Sequence, residues 1–237
     1  MPSIYIIKIP GWRTFSLEIP AFRQIIDSAI GRSKQVFRSP IFAAIEQGHD
    51  DKALRLATSR RLHGARGKWG ETPLVAAIAA DRQDLALALI RRGGTFAGDG
   101  ALAHAAMRGN LQIVQSLLAT GKSPDEPLNN GDGGVTPLMW ATNRKFYACM
   151  ESLLAAGANI NAQDKNGTTA AMYTRSGTPE FLTALDVLCR YKPNISLQDW
   201  RGRNLKKEAN DRERNSNDPA MRILLERHFP EVDFQDE

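Results

Sequence analysis

Few residues in this sequence have the types and spacing that a phosphate-binding site requires. Gly121-Lys122-Ser123 matches the end of a phosphate-binding loop, but that loop also needs a glycine five residues before Gly121, and Ser116 occupies that position. Asp132-Gly133-Gly134 could cradle an anion through its backbone N–H groups, although a simple turn explains it without a ligand. We therefore predict no phosphate or nucleotide cofactor.

The sequence gives no better support for a metal site or for a catalytic nucleophile. A structural zinc site needs about four clustered ligands, whereas Cys149 and Cys189 are far apart in the sequence. Paired carboxylates at a repeating spacing are absent, and a Ser/His/Asp arrangement cannot be argued because its members meet only in space. The four histidines are scattered: His49, His63, His104 and His228. We predict no metal site, no catalytic residue and no enzyme activity, and we interpret the cysteines as small buried hydrophobic residues.

The composition is that of a folded protein without a membrane segment. The 237-residue chain has 42% hydrophobic residues and a net charge of +5. It lacks the run of about 18 apolar residues that a membrane helix needs. Its first residues, MPSIYIIKIPGWRTF, lack the basic leader, long apolar core and cleavage site of a signal peptide. We expect a cytoplasmic protein, with a removed leader left open, and the positive charge favours an acidic partner.

The elements that must position any site come from a repeating unit of about 33 residues. The unit is clearest from Gly134 to Asp164, where Thr136-Pro137 predicts a capped helix start with proline at the first helical position. Two short apolar helix patterns follow, and Gly157 predicts the end of the second. Gly167 opens the same pattern 33 residues after Gly134, and the same distance separates Ile41 from Leu74.

A turn and two short helices at this period resemble the ankyrin repeat family. The resemblance covers roughly residues 39–230, and it implies an all-α solenoid of about five or six helix-turn-helix repeats with short β-hairpin fingers. Residues 1–38 do not fit the repeat, and we interpret them as an N-terminal capping segment, because the first repeat would otherwise expose an apolar face. The sixth repeat departs most from the pattern and is expected to be the C-terminal cap, followed by an acidic tail at 231–237.

Two stretches interrupt the regular repeat. The segment after Gly48-His49 is unusually basic, and from Arg60 to Lys68 we predict an extended loop that leads to the next finger. The segment from Lys122 to Gly133 is rich in Pro, Asn, Asp and Gly, and we predict a protruding polar loop there.

The resemblance also implies a concave binding face, made of fingertips and of the exposed side of each first helix. The predicted fingertip residues are Arg66, Lys68, Trp69, Glu71, Lys165, Asn166, Trp200, Arg201 and Arg203, and the predicted first-helix residues are Met107, Arg108, Asn143 and Arg144. Large aromatic residues and arginines often dominate interface energetics. For Trp69 and Trp200, packing on a neighbouring finger remains the alternative to partner binding, whereas Trp140 is expected to face the core.

These expectations lead to a non-catalytic protein-interaction module, monomeric when free, that binds a protein with an acidic surface. A stoichiometric inhibitor, an immunity protein or an adaptor are the roles that we expect for it. A host-directed effector that binds a foreign protein is an alternative. Basic and aromatic residues at the fingertips also leave open a nucleic-acid binder, although a net charge of +5 is low for one.

Overall fold

A computed structural model describes residues 39–68, 70–128, 133–174 and 178–234. The predicted N-terminal capping segment 1–38, Trp69, Asp132 and tail residues 235–237 lie outside these ranges. The described residues form helices joined by turns and loops, and they contain no strand. The all-α fold class is therefore confirmed.

Within the described ranges, six helix pairs follow one another, with one extra helix after the first pair. The first three repeats comprise α1 (Pro40–Glu46) and α2 (Asp50–Leu56), the extra helix α3 (Ser59–Gly64), α4 (Pro73–Ala79) and α5 (Gln83–Arg91), and α6 (Ala101–Arg108) and α7 (Leu111–Ala119). The last three comprise α8 (Pro137–Arg144) and α9 (Tyr147–Ala155), a 3₁₀ helix (Ala171–Thr174) and α10 (Pro179–Cys189), and α11 (Leu205–Ser216) and α12 (Ala220–His228).

The Thr-Pro pairs start helices as predicted. The Thr72 hydroxyl accepts a hydrogen bond from the Val75 N–H at 3.2 Å, and the Thr136 hydroxyl accepts one from the Met139 N–H at 3.3 Å. Each threonine thereby satisfies a backbone donor that the first helical turn leaves unpaired. The following proline lacks an N–H and already has a helical φ, so these helices begin at a fixed residue.

The helices form two layers. The first helices α1, α4, α6 and α8 and the 3₁₀ helix contact one another in order, and so do the second helices α2, α5, α7, α9, α10 and α12. Leucines at equivalent places in successive repeats fill the core, and Leu74, Leu102 and Leu138 are all fully buried. Because each unit packs chiefly on its neighbours, the buried core is continuous along the array.

Two predicted loops differ from expectation. Ser59–Gly64 is a helix, α3, rather than an extended loop, because burial of Leu62 fixes one of its faces against the array. The predicted protruding loop begins with a residue whose side chain is buried: the Lys122 side chain is 6% exposed, since the carboxylates of Asp99 and Glu126 bind its ammonium group.

The predicted fingers are tight turns rather than two-stranded hairpins. Two backbone hydrogen bonds close each turn. One runs from the N–H of Gly67, Asp164 or Asp199 to the carbonyl of Glu71, Thr168 or Arg203, at 2.9, 3.1 and 2.9 Å, and the other returns to the carbonyl of the first residue from the N–H of Gly70, Gly167 or Gly202, at 3.2, 2.9 and 2.8 Å. Gly167 and Gly202 have φ values of 71° and 69°, a left-handed conformation that glycine adopts without strain. The turns are therefore short and have a defined shape.

Candidate interaction surface

A buried aspartate determines the shape of the fifth finger. One carboxylate oxygen of Asp164 accepts hydrogen bonds from the Asn166 and Thr168 N–H groups at 2.8 and 2.9 Å. The other accepts one from the Tyr173 hydroxyl at 3.2 Å. Asp164 is only 8% exposed, so these donors replace the water that the charge would otherwise require.

Asp199 has the same role in the sixth finger. Its Oδ1 accepts hydrogen bonds from the Arg201 and Arg203 N–H groups at 2.9 and 3.0 Å. Its Oδ2 accepts two from the Arg203 guanidinium, at 3.1 Å from Nε and 2.9 Å from a terminal nitrogen. Arg203 therefore neutralises a buried carboxylate, and its head group is occupied within the finger.

Hydrogen bonds also join the last three fingers in a row. The Lys165 N–H donates to the Gly133 carbonyl at 2.6 Å, and the Trp200 N–H donates to the Asn166 carbonyl at 2.9 Å. The Gln163 side-chain amide donates to the carbonyls of Gly167 and Gln198, at 2.7 and 3.0 Å. We call the residues 133–135, 164–168 and 199–203 the finger row.

The finger row exposes an aromatic residue and cations. Trp200 is 68% exposed, and the Arg201 guanidinium carbon lies 4.5 Å from the centroid of its ring. Lys165 and Asn166 are also exposed. These four residues lie on adjacent fingers, so the structure brings together part of the predicted binding face.

The predicted first-helix residues lie at the other end of the first-helix layer. Arg108, Asn143 and Arg144 are exposed, and Met107 is half-buried. They occupy the last turns of α6 and α8, and an eight-residue helix is about 12 Å long. The Arg108 guanidinium donates a hydrogen bond to the Ala79 carbonyl at 2.6 Å, so this arginine also joins two first helices.

The second finger differs from the finger row. Lys68 is exposed and Glu71 is half-buried. Arg66 donates to the carbonyls of His63 and Ala65 at 2.8 and 2.9 Å, and its guanidinium carbon lies 4.9 Å from the Phe96 ring centroid. The structure thus places Arg66 against α3 and the loop before α6.

Two kinds of residue were missed by the sequence reasoning. The spacing of Asp164 to Gly167 recurs in Asp199 to Gly202, and this Asp-x-x-Gly pattern was the available signal for the finger aspartates. The burial of Lys122 had no such signal, because its two partners lie at different distances in the sequence.

Trp140, predicted to face the core, is half-buried, and its indole N–H is covered without a hydrogen-bond acceptor in the described part of the chain.

Both cysteines and His228 lie in structural positions between or within helices. Burial raises the pKa of Cys149 to about 11 and that of Cys189 to about 12, so both thiols are protonated at neutral pH and are poor nucleophiles. His228 contacts Asp186 at 2.8 Å, in an ion-pair geometry between α12 and α10. Within residues 39–68, 70–128, 133–174 and 178–234, no cluster of histidines, cysteines and carboxylates could hold a metal ion.

Comparison with known proteins identifies the repeat. Residues 93–164 match the family model for ankyrin repeats, in three copies. The structure is similar to the crystal structure of the ankyrin repeat protein EF0377, with a TM-score of 0.66 and 23% identity, covering 78% of this chain and 95% of that one. The chain contains an ankyrin-repeat domain. Ankyrin arrays are protein–protein interaction modules that bind through an extended surface, and the fold is generally a non-catalytic scaffold.

Relatives of known sequence match the ankyrin-repeat domain over part of their length. Inversin of Gallus gallus is 33% identical over 141 residues, which are 56% of this chain and 12% of that protein. An ankyrin repeat-containing protein of Treponema pallidum (strain Nichols) is 30% identical over 154 residues, which are 61% of this chain and 49% of that protein. None of the helices that the structure describes is long and apolar enough to cross a membrane.

Proposed function

We propose that the ankyrin-repeat domain binds an acidic protein partner through the finger row, with Trp200 and Arg201 at the centre of the contact. The observation that carries this proposal is the 68% exposure of Trp200, against which Arg201 is stacked. Among the described residues, the other exposed large hydrophobic side chains are Tyr191 and Ile223, both outside the finger row. Tryptophan and arginine are among the residue types that are enriched in the hot spots of protein interfaces.

The finger row is also well suited to binding because it is already ordered. Asp164 and Asp199 hold their turns from inside, and backbone hydrogen bonds connect the fingers. A preformed surface loses little conformational entropy when a partner binds, so more of the contact energy contributes to affinity. Trp200 would then contribute about 2 kcal/mol or more if its ring becomes fully covered.

The charge of the finger row favours an acidic surface on the partner. Lys165 and Arg201 are exposed cations. Arg203 neutralises the buried Asp199 carboxylate, so Asp199 adds no negative charge to the surface. Arg108 and Arg144 add exposed positive charge at the far ends of α6 and α8. We propose these residues, with Met107, Asn143 and Asn166, as the wider contact area, and Lys68, Trp69 and Glu71 as a further contact at the second finger.

We propose that the chain acts as a stoichiometric inhibitor, an immunity protein or an adaptor. Each of these roles needs only rigid, non-catalytic recognition, which the finger row provides. A host-directed effector would use the same surface against a foreign protein. A nucleic-acid role has one supporting observation, since a base could stack on Trp200 beside Arg201, and it predicts a steep loss of affinity with salt.

The first experiment is affinity capture from native lysate at low and high salt, with mass spectrometry of the bound material. We expect one dominant protein that is retained in high salt. The dissociation constant of that protein is then measured for the chain and for the double variant Trp200→Ala with Arg201→Glu. We expect at least a tenfold increase, equivalent to about 1.4 kcal/mol.

A matched control changes an exposed aromatic residue and an exposed arginine outside the finger row. Tyr191→Ala with Arg227→Glu is suitable, because Tyr191 is 43% exposed and Arg227 is exposed in the last turn of α12. The control is expected to bind as the parent chain does. Equal weakening by both variants would remove the finger row as the specific site, and capture of nucleic acid that elutes as salt rises would replace the protein partner.

A further inference from the structure

Five exposed arginines cluster at the C-terminal ends of α2 and α5 and on α3. We call this group the arginine rim, and its members are Arg55, Arg60, Arg61, Arg91 and Arg92, all exposed. None of them was among the predicted site residues. The rim belongs to the first two repeats, whereas the centre of the proposed finger-row contact belongs to the fifth and sixth.

The fold brings these arginines together from three elements. The Arg92 guanidinium donates a hydrogen bond to the Leu54 carbonyl near the end of α2. Arg61 on α3 donates to the Leu56 carbonyl at the same helix end, at 3.5 Å. Leu62 on α3 lies against Gly94 after α5, with its Cδ2 3.6 Å from the place that a Cβ would occupy on Gly94. The C-terminal ends of α2 and α5 are therefore adjacent, and Arg61 and Leu62 place α3 beside them.

The charge of the rim is not neutralised by the described protein. Arg61 and Arg92 bind carbonyl oxygens, as basic residues near helix C-termini commonly do. Arg55, Arg60 and Arg91 form no ion pair with a carboxylate within the described ranges. The acidic residues of α2 and α5 lie in their first turns, at the opposite helix ends: Asp50, Asp51 and Asp84.

The second helices of the third, fourth and fifth repeats do not end in such a group of exposed arginines. The corresponding end of α9 is Ala155, followed by Ala156 and Gly157, without a charge. After α7 the basic residue is Lys122, which is buried between carboxylates, and at the end of α10 Arg190 pairs with Asp186 at 2.7 Å. Helix-end capping alone therefore does not account for five exposed arginines in one place.

We propose that the arginine rim binds a phosphorylated segment of a protein. The guanidinium group presents a planar fork of donors that matches phosphate oxygens, and recognition of phosphorylated segments by arginine clusters is an established mode. A phosphoserine concentrates about −1.5 to −2 charges on one group, so few ordered residues can neutralise several arginines. This binding is separate from the finger-row contact and does not depend on it.

The rim lacks the features of other anionic-partner sites. The exposed large hydrophobic residues that the structure describes are Tyr191, Trp200 and Ile223, so the rim has no apolar anchor of the kind that dominates ordinary protein interfaces. Within the described ranges it also has no exposed Phe, Tyr or Trp ring on which the bases of a single strand could stack. Recognition there must rest on charge-assisted hydrogen bonds.

The test uses a short fluorescent peptide with two adjacent phosphoserines, its unphosphorylated twin, its glutamate twin and a short duplex DNA. Binding to the full chain is measured by fluorescence anisotropy at a physiological salt concentration. The rim variant is Arg60→Gln with Arg91→Gln, and the matched control is Lys207→Gln with Arg227→Gln, exposed cations of the sixth repeat. We expect the rim variant to weaken phosphopeptide binding about tenfold and the control to leave it within a factor of about two.

Each alternative result would overturn the proposal. Equal weakening in both variants would show a general charge effect, and no binding of the phosphopeptide would remove the site. Tighter binding of the glutamate twin would indicate an acidic segment, and tighter binding of the duplex a nucleic-acid backbone. If the rim variant melts below the parent chain, Arg60→Lys with Arg91→Lys decides the question, since it keeps the charge, loses the planar fork and is expected to weaken phosphopeptide binding about threefold.

Discussion

The loop before α6 stabilises a buried aspartate differently from the fifth and sixth fingers. Each precedes a first helix, and each contains a buried aspartate: Asp99 is 2% exposed, Asp164 8% and Asp199 5%. Asp164 and Asp199 each accept two N–H hydrogen bonds from their own turn, and Asp199 is also bound by the Arg203 guanidinium of the same finger. Asp99 accepts hydrogen bonds from the Phe96 and Ala101 N–H groups at 3.3 and 2.9 Å, but it also contacts the Lys122 ammonium at 2.6 Å.

The difference follows from the length of the connection. The third repeat begins 28 residues after the second, so it has no room for a finger. Its aspartate is neutralised by a lysine 23 residues later in the chain, and Glu126 approaches the same ammonium group at 2.9 Å. The aspartates of the fifth and sixth fingers are held by groups of their own repeat, whereas Asp99 is bound to Lys122 of the following loop.

The largest expected effect comes from breaking that charge cluster. Lys122→Met removes the cation and leaves Asp99 and Glu126 buried at 0% and 12% side-chain exposure. Removing one partner of a buried ion pair typically costs about 3–5 kcal/mol. We expect a loss of this size in the free energy of unfolding, measured by urea denaturation.

The control for Lys122→Met is the same change at an exposed lysine of the finger row. Lys165→Met should alter the free energy of unfolding by less than about 0.5 kcal/mol, because its side chain is exposed. If Lys122→Met left the free energy of unfolding unchanged, the charge cluster would not stabilise the fold. The loop before α6 and the fingers would then differ only in their conformation.

A smaller effect distinguishes two arginines within one finger. Arg203 binds the buried carboxylate of Asp199, whereas Arg201 stacks on Trp200 at the surface. Because the Arg203 side chain is itself 39% exposed, water partly replaces it, and we expect Arg203→Ala to cost only about 1 kcal/mol of stability.

Arg201→Ala is the matched change, and it should leave the melting temperature nearly unchanged while weakening partner binding. The opposite assignment, in which Arg201→Ala lowers the melting temperature and Arg203→Ala does not, would show that the finger is not held through Asp199. For the same reason, a charge reversal of both arginines is a poor test of binding, because it also destabilises the finger.

The different roles of Arg201 and Arg203 could not be predicted from the sequence. The repeat period and the Thr-Pro starts predict the helix pairs, since they depend on contacts between residues close in the chain. The resemblance to ankyrin repeats also implies that Trp200 lies on a fingertip. Arg201 and Arg203 have the same residue type beside the same glycine, and only the direction of each side chain separates a surface residue from a structural one. Burial of the Lys122 side chain depends on Asp99 and Glu126, which are 23 and 4 residues away. No local sequence pattern predicts that these three side chains come into contact.

The smallest expected effect concerns an aspartate–cation contact near the surface, which extends the comparison to partial exposure. Asp186 on α10 accepts a hydrogen bond from His228 on α12 at 2.8 Å and one from Arg190 at 2.7 Å, and its side chain is 28% exposed. The His228 contact, with Arg190 in support, holds the pKa of Asp186 below its ordinary value.

A lowered pKa in the folded state gives stability that is complete above the ordinary aspartate pKa of about 3.9 and is lost as the pH falls through the lower folded value. The parent chain should therefore melt above Asp186→Asn by a few degrees at about pH 5, and the gap should narrow as the pH approaches about 2. A gap that stays constant with pH would mean that Asp186 contributes through packing rather than charge, and the comparison would then hold only for the buried aspartates.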